Sequence, residues 1–441
     1  MSKELQIKYV KSAFELLKKL QGNHNIEDTA LIQETFDTIL QIVSTNNQIL
    51  NENTSYDKLL PQLSKDLISA AEKLVNDKLT AGISCGVKIE KGPTITIYRG
   101  KTSCLNNSVK IDKNTRFDLA SVSKLFTSIH LLKNQEEKKI NLSQKLHDYN
   151  NEYAIDKPMK EILTFNHVIQ TNGRLNDNAK NEEEALEMLK QAKITEENTH
   201  MYSDMGYMMI NKANPNVQAE FKEYFNDQIG LYNTGYEINE NDITTGGNIQ
   251  QLNKVHDPKA QLVSYAGHAG IFSTTEDLIK LYDALKKGFI TKDSLKQIIT
   301  PTLDRKYLTE DGQYLADTNG HAKLDKNGNK IPVTRGMEYR RHELGYAKTE
   351  VHECQSDLAF AAAGFTGTFA CYDLDHEITT NILTNPISNS EDGKKPQGYA
   401  WKLDDLKTEE LKLAYALKLI NKLYTDEYQK EIQDQDKVYS L

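Results

Sequence analysis

Residues 117–132 read FDLASVSKLFTSIHLL, and this stretch decides how the rest of the chain is interpreted. Apolar residues recur in it at helical spacing, which predicts a helix that begins close to Ser121. Ser121 and Lys124 are three positions apart, so they share one face of that helix and the amine can approach the hydroxyl. A serine hydroxyl is a poor nucleophile at neutral pH and needs a base within hydrogen-bonding distance. The stretch therefore predicts a serine nucleophile, with the helix dipole and backbone N–H groups placed to favour an oxyanion.

The Ser-x-x-Lys spacing is weak evidence by itself, because both residue types are common and a solvated helix start is the ordinary alternative. The sequence before this stretch has a regular pattern of its own. A helical pattern through Leu67, Ala71 and Leu74 is followed by two strand-like runs at 83–89 and 94–98, which are separated by a Gly-Pro turn. This end of the chain therefore predicts a helix followed by a β-hairpin.

The chain between positions 120 and 300 is mainly helical in pattern, and Ser273 and Glu276 have the spacing of a capping box for a helix that ends at Gly288. Beyond it, short β-rich runs return at 358–361, 369–372 and 378–383. Strands at both ends of a helical middle predict an α+β domain. In it, the terminal parts share one antiparallel sheet, which is flanked by helices and carries an inserted, mostly helical subdomain.

Three parts follow from these patterns. The pattern predicts a helical N-terminal extension over residues 1–62, the main domain over residues 63–430 and a C-terminal tail over residues 431–441. We expect the extension to pack on, or be tethered to, the main domain, with binding of a partner as the alternative.

Composition narrows the classes of function. The 441 residues carry a net charge of -9, and no basic block could follow a phosphate backbone, which argues against nucleic acid as a partner. No apolar run approaches the ~18 residues of a membrane span, and the charged start lacks the core of a signal peptide. We expect a cytoplasmic protein, with a trimmed exported form as the alternative. Four cysteines and scattered histidines predict neither a disulfide framework nor a metal site, so no cofactor is expected. The oligomeric state stays open.

Four further parts of the sequence contain short motifs whose order along the chain is informative. They are LTFNHVIQTNGRL at 163–175, YSDMGY at 202–207, VHDPKA at 255–260 with GHAGIFSTTEDL at 267–278, and AAGFTGTF at 362–369. Together with residues 117–132 they resemble the penicillin-recognising family of serine β-lactamases, D-Ala-D-Ala carboxypeptidases and related esterases, in its class C β-lactamase-like branch. The resemblance covers roughly residues 64–425 and implies the β-lactamase/transpeptidase-like fold.

The resemblance also implies roles for individual residues. Ser121 would form an acyl-enzyme, and Lys124 and Tyr202 would share the proton transfers. The backbone N–H groups of Ser121 and Phe365 would form the oxyanion hole. The implied substrate-binding residues are Asp204, Gly364, Thr366 and His268. For His268, as for His256 and Asp257, a structural role is the alternative we favour, because Gly-rich turns are often architectural.

Two departures from the family pattern matter. Asp204 stands where the family usually has Asn, and an ionised carboxylate can accept hydrogen bonds but not donate them. It could instead pair with Lys124 and keep that amine charged, which would favour Tyr202 as the base. Ala362 stands where the family usually has Lys or His, a group that helps to hold a substrate carboxylate.

These observations together predict a serine hydrolase acting through an acyl-enzyme on a small molecule or peptide that carries an ester or amide, D-amino-acyl groups included. A D-Ala-D-Ala carboxypeptidase or β-lactamase is one alternative, against which Ala362 argues. A non-catalytic binding protein that retains the fold is the other. Ala362 and Asp204 favour that alternative, whereas the presence of Ser121, Lys124 and Tyr202 together opposes it.

Overall fold

The computed structural model describes most of residues 64–299, with gaps, and most of residues 359–389. The longest described ranges are 64–89, 94–106, 108–163, 167–197, 203–239, 254–299, 359–375 and 377–389, and shorter pieces lie at 242–243, between 309 and 330, and between 395 and 414. The predicted N-terminal extension and the C-terminal tail lie outside the described residues, so the three-part division of the chain stays a prediction.

Strands lie at both ends of the described chain and helices dominate between them. The strands are β1 (Gly82–Ile89), β2 (Thr94–Gly100), β3 (Phe117–Asp118), β4 (His167–Gln170), β5 (Lys193–Glu197), β6 (Phe272–Ser273), β7 (Ala359–Gly364), β8 (Thr368–Asp373) and β9 (Ile378–Thr384). The helices are α1 (Lys65–Asn76), α2 (Ser123–Glu136), α3 (Leu146–Tyr149), α4 (Met159–Ile162), α5 (Leu175–Asn178), α6 (Glu182–Lys190), α7 (Met205–Ala213), α8 (Val217–Phe221), α9 (Pro258–Leu262), α10 (Thr275–Lys286) and α11 (Lys292–Ile299). The predicted α+β class is confirmed.

A five-stranded antiparallel sheet joins the two ends of the described chain, in the order β2-β1-β9-β8-β7. Strand β1 pairs with β9, so that Cys85 lies opposite Ile382. The structure thus confirms that the terminal parts of the domain share one sheet, as the strand pattern predicts.

The sheet separates two apolar clusters because successive side chains of a strand point to opposite faces. On one face, Cys85 and Ile382 pack with Leu67 and Leu74 of α1. On the other face, side chains such as Leu383 pack against the helical part of the molecule. Among the described residues, no helix combines the length and apolar content needed to cross a bilayer.

Helix α10 corrects one detail of the prediction. The helix is capped by Thr274, whose side chain accepts a hydrogen bond from the Asp277 N–H at 3.2 Å. Ser273 instead lies in β6, paired with Phe117, and its hydroxyl contacts that of Thr234 at 2.8 Å. The predicted Ser273–Glu276 box is therefore one residue out of register, because strand pairing occupies Ser273. Gly288 follows the helix with a φ of 86°, as a helix end favours.

Candidate active site

Ser121 lies in a short 3-10 turn, Ala120–Val122, that leads into α2. The backbone before it is held in an unusual conformation, since Ala120 has a φ of 45°. The buried Asp118 carboxylate accepts hydrogen bonds from the N–H groups of Ala120, at 2.8 Å, and His256, at 2.7 Å. Burial raises the pKa of Asp118 to about 6, although these two bonds act to lower it. Asp118 thus fixes the backbone immediately before Ser121.

Lys124 lies directly beneath Ser121, as the three-residue spacing predicts. Its side chain is 0% exposed, and its Nζ donates to Ser121 Oγ at 3.1 Å. The same ammonium lies 3.0 Å from Asp204 Oδ1. A buried lysine is stable when it is paired, and Asp204 provides the opposite charge. The structure therefore brings Ser121, Lys124 and Asp204 together.

Asp204 immediately precedes α7, and cations surround its carboxylate. Burial alone would raise the pKa of Asp204, but Lys124, His268 and Lys259 lower it to about 2. The group is therefore ionised at neutral pH and accepts rather than donates hydrogen bonds. Tyr202, the predicted proton-transfer partner two residues earlier, lies outside the described residues.

The end of β7 is tied to the segment that precedes Ser121. The Thr366 hydroxyl donates to the Asp118 carbonyl at 2.6 Å, and the Thr368 hydroxyl donates to the Leu119 carbonyl at 2.8 Å. Gly364 packs so closely on the Leu119 carbonyl that an added Cβ would overlap it. These contacts hold Phe365, the predicted second oxyanion residue, on a turn adjacent to the nucleophile segment.

The residues in and before this turn differ in how far they are exposed. Thr366 is 0% exposed and its hydroxyl is bound to Asp118, which argues against the predicted substrate contact. The Phe365 side chain, by contrast, is 52% exposed. Its ring contacts the His256 ring, with 4.9 Å between centroids, and the Lys395 ammonium, which lies 4.8 Å from the Phe365 centroid. Ala362 is 6% exposed and belongs to the apolar cluster on the helical side of the sheet.

His268 is 1% exposed and its Nε2 lies 2.9 Å from Asp257 Oδ1. Asp257 caps α9 by accepting from the N–H groups of Lys259 and Ala260. This agrees better with the structural role of both residues than with direct contact to a substrate.

The sequence motifs did not point to Lys259, whose Nζ lies 3.0 Å from Asp204 Oδ2 and 3.2 Å from Asp257 Oδ2. Its only signal was its place in the VHDPKA phrase, which carried no role for it. Donor atoms of Asp204, Asp257 and His268 lie within 4.8 Å of one another, a grouping that could hold a metal ion. The ammonium groups of Lys124 and Lys259 already contact its two carboxylates, so charge balance here requires no ion.

Comparisons with known proteins identify the family and the fold. The family model described as Beta-lactamase matches residues 87–402. A class C β-lactamase structure is 16% identical with a TM-score of 0.55, over 79% of this chain and 97% of its own. EstCE1, described as a hydrolase with promiscuous acyltransferase activity, is 16% identical with a TM-score of 0.54, over 78% and 98% of the two chains. FmtA from Staphylococcus aureus is 15% identical with a TM-score of 0.52, over 80% and 90%. No curated protein sequence matches the chain.

Proposed function

This chain belongs to the β-lactamase family, and from that premise we propose that it is a serine hydrolase in which Ser121 is acylated by its substrate. The contact between Lys124 Nζ and Ser121 Oγ, at 3.1 Å, carries the proposal. The lysine is fully buried and Ser121 is half-buried. Burial of an amine costs free energy, so its place beside this hydroxyl supports a role in catalysis.

The charge state of the lysine decides which group accepts the serine proton. Asp204 has a pKa of about 2 and lies 3.0 Å from Lys124, so it favours the ammonium form. An ammonium has no lone pair and can only donate to Ser121 Oγ. We therefore assign proton acceptance to Tyr202, the residue to which the family resemblance gives this role. A phenol close to an ammonium is more acidic than a free phenol, so contact with Lys124 would make it a better base at neutral pH.

The reaction would proceed in two balanced halves. Ser121 Oγ bonds to the carbonyl carbon of the substrate while the hydroxyl proton passes to the base. The oxyanion that forms accepts hydrogen bonds from the backbone N–H groups of Ser121 and Phe365. The alcohol or amine then leaves with that proton. Water attacks the acyl-Ser121 ester, releasing the acid and restoring the hydroxyl.

The substrate class follows from position 362. A side chain there lies on the helical face of the sheet, and alanine offers no charge to a substrate carboxylate. We propose a small ester or amide without a free carboxylate at that place, such as a D-amino-acyl ester. Structures with a similar fold include a class C β-lactamase and EstCE1, a hydrolase with promiscuous acyltransferase activity, and this supports acyl transfer of this kind.

The test compares the natural chain with Ser121→Ala, using a fluorophosphonate probe and a p-nitrophenyl ester. We expect labelling and turnover by the natural chain, and a fall in kcat of at least about a thousandfold in the variant. The same labelling of both proteins, or none of either, would contradict the proposal.

A fluorescent penicillin separates the two substrate classes. We expect no Ser121-dependent adduct, because position 362 lacks a cation. An adduct would assign the chain to β-lactam recognition instead and would direct attention to Lys395, whose ammonium lies 4.8 Å from the ring of Phe365.

A further inference from the structure

The Asp204 carboxylate is shared between two ammonium groups, one on each oxygen. Lys124 Nζ lies 3.0 Å from Oδ1, and Lys259 Nζ lies 3.0 Å from Oδ2. Both lysines are held in place, since Lys124 is fully buried and Lys259 also binds Asp257 Oδ2 at 3.2 Å. Alternating charges therefore run from Lys124, which contacts Ser121, through Asp204 and Lys259 to Asp257.

The far end of this line is fixed by the fold. Asp257 Oδ1 accepts from the N–H groups of Lys259, at 2.8 Å, and Ala260, at 3.0 Å, and contacts His268 Nε2 at 2.9 Å. His268 is buried in the turn before β6. Asp257 thus has little freedom to move, and it fixes the direction of the Lys259 ammonium.

We propose that Lys259 is a positioning residue that neutralises Asp204 and aims its Oδ1 at Lys124. This inference rests on the proposed function of Ser121. In a site with Asn at position 204, no second cation would be needed, because an amide carries no charge. With Asp204 in place and no second cation, the Lys124 ammonium would form a tight ion pair with the carboxylate. The negative charge of Asp204 and Asp257 would then disfavour removal of the serine proton. Lys259 supplies the compensating charge.

A double-mutant cycle tests this role. Lys259→Met alone should lower kcat/KM for a p-nitrophenyl ester by about tenfold, in the range of coupling seen for contacting charges. In a chain that also carries Asp204→Asn, Lys259→Met should change kcat/KM by less than about twofold, since no carboxylate remains to be neutralised. Lys259→Arg keeps the charge and should retain most of the activity.

The pH profile provides a readout that a merely structural role would not move. The charged groups facing Asp204 are Lys124, His268, Lys259 and Asp257. Losing the Lys259 charge makes the site more negative, so any group that accepts the serine proton holds its own proton more tightly. The acid limb of kcat/KM should move to higher pH in Lys259→Met and return toward its original place when Asp204→Asn is added.

The outcomes separate this inference from the proposed function. Turnover that survives Ser121→Ala, or no turnover at all, overturns the function and the inference together. Ser121-dependent turnover with additive effects of Lys259→Met and Asp204→Asn, or with an unmoved acid limb, overturns the inference alone. Melting curves of the natural chain and of every variant show whether each protein is folded. If Lys259→Met unfolds in the assay, Lys259→Gln replaces it as the neutral variant and Lys259→Arg remains the charged one. Lys259→Gln that keeps both the activity and the acid limb of Lys259→Arg would contradict the role.

Discussion

At the scale of single residues, the site depends on an aspartate that stays ionised where the family usually has a neutral amide. The pKa of Asp204 falls from 3.8 to about 2, although burial opposes this, because Lys124, His268 and Lys259 favour the charged carboxylate. The folded chain therefore binds this proton less tightly than the unfolded chain. Ionised Asp204 stabilises the fold above pH ~4, and this contribution disappears as the pH falls toward 2.

Asp204→Asn should reduce the acid sensitivity of the fold. A shift of this size corresponds to about 2 kcal/mol in total, of which about 1 kcal/mol should be lost between pH 5 and pH 3. The free energy of unfolding from urea titrations should fall by about that much less in the variant than in the natural chain over this interval. Asp148→Asn, at an exposed position, is the matched control and should follow the natural chain. Parallel curves for Asp204→Asn and the natural chain would contradict the assigned ionisation.

At the scale of secondary structure, the turn after β7 and the segment before α2 form one unit. The Thr366 and Thr368 hydroxyls donate to consecutive carbonyls, those of Asp118 and Leu119. The two segments that carry the proposed oxyanion donors therefore cannot move independently. Gly364 allows this close approach, since its missing side chain leaves room for the Leu119 carbonyl.

Gly364→Ala should therefore damage both stability and catalysis. The added methyl group would overlap the Leu119 carbonyl and the Thr368 hydroxyl, and overpacking of this kind costs about 1–3 kcal/mol. We expect kcat to fall more than KM rises, because the turn that carries Phe365 would be displaced from Ser121. Ala363→Ser, at the exposed neighbouring position, is the control and should change neither quantity appreciably. Unchanged kcat in Gly364→Ala would separate the turn from the oxyanion hole.

Local patterns predicted what local physics determines. The strands of the sheet were found because alternation and turn residues mark them, and Ser121 and Lys124 were paired because a helix sets their spacing. The cap of α10 was misplaced by one residue because pairing of Ser273 with Phe117 depends on a distant strand. Lys259 was missed for the same reason, since its partner Asp204 comes from a different element. The antiparallel pair of β4 and β5 also escaped prediction, because β5 is mostly polar.

At the scale of the whole molecule, the sheet connects the site to both ends of the domain. Strand β9 lies between β1 and β8, so a strand from the start of the domain and two from its end form one hydrogen-bonded unit. Helix α10 is tied to β1 by the Ser84–Thr275 hydroxyl pair, at 2.6 Å, and by the ion pair of Lys88 with Asp283. The apolar clusters on the two faces of the sheet should therefore unfold together.

Two adjacent residues of β9 test this expectation, because Ile382 packs in the cluster with α1 and Leu383 in the cluster with the helical part. Both are 0% exposed, so Ile382→Ala and Leu383→Ala should each lower the free energy of unfolding by about 2–5 kcal/mol. Far-ultraviolet circular dichroism follows the secondary structure of the whole fold. Near-ultraviolet circular dichroism follows the packing of aromatic side chains, which among the described residues are more numerous in the cluster with the helical part than in the cluster with α1. In one cooperative unit, both probes shift to the same lower denaturant midpoint in either variant. Separate midpoints, with only one probe moved by each substitution, would mean that the two faces of the sheet belong to independently unfolding parts.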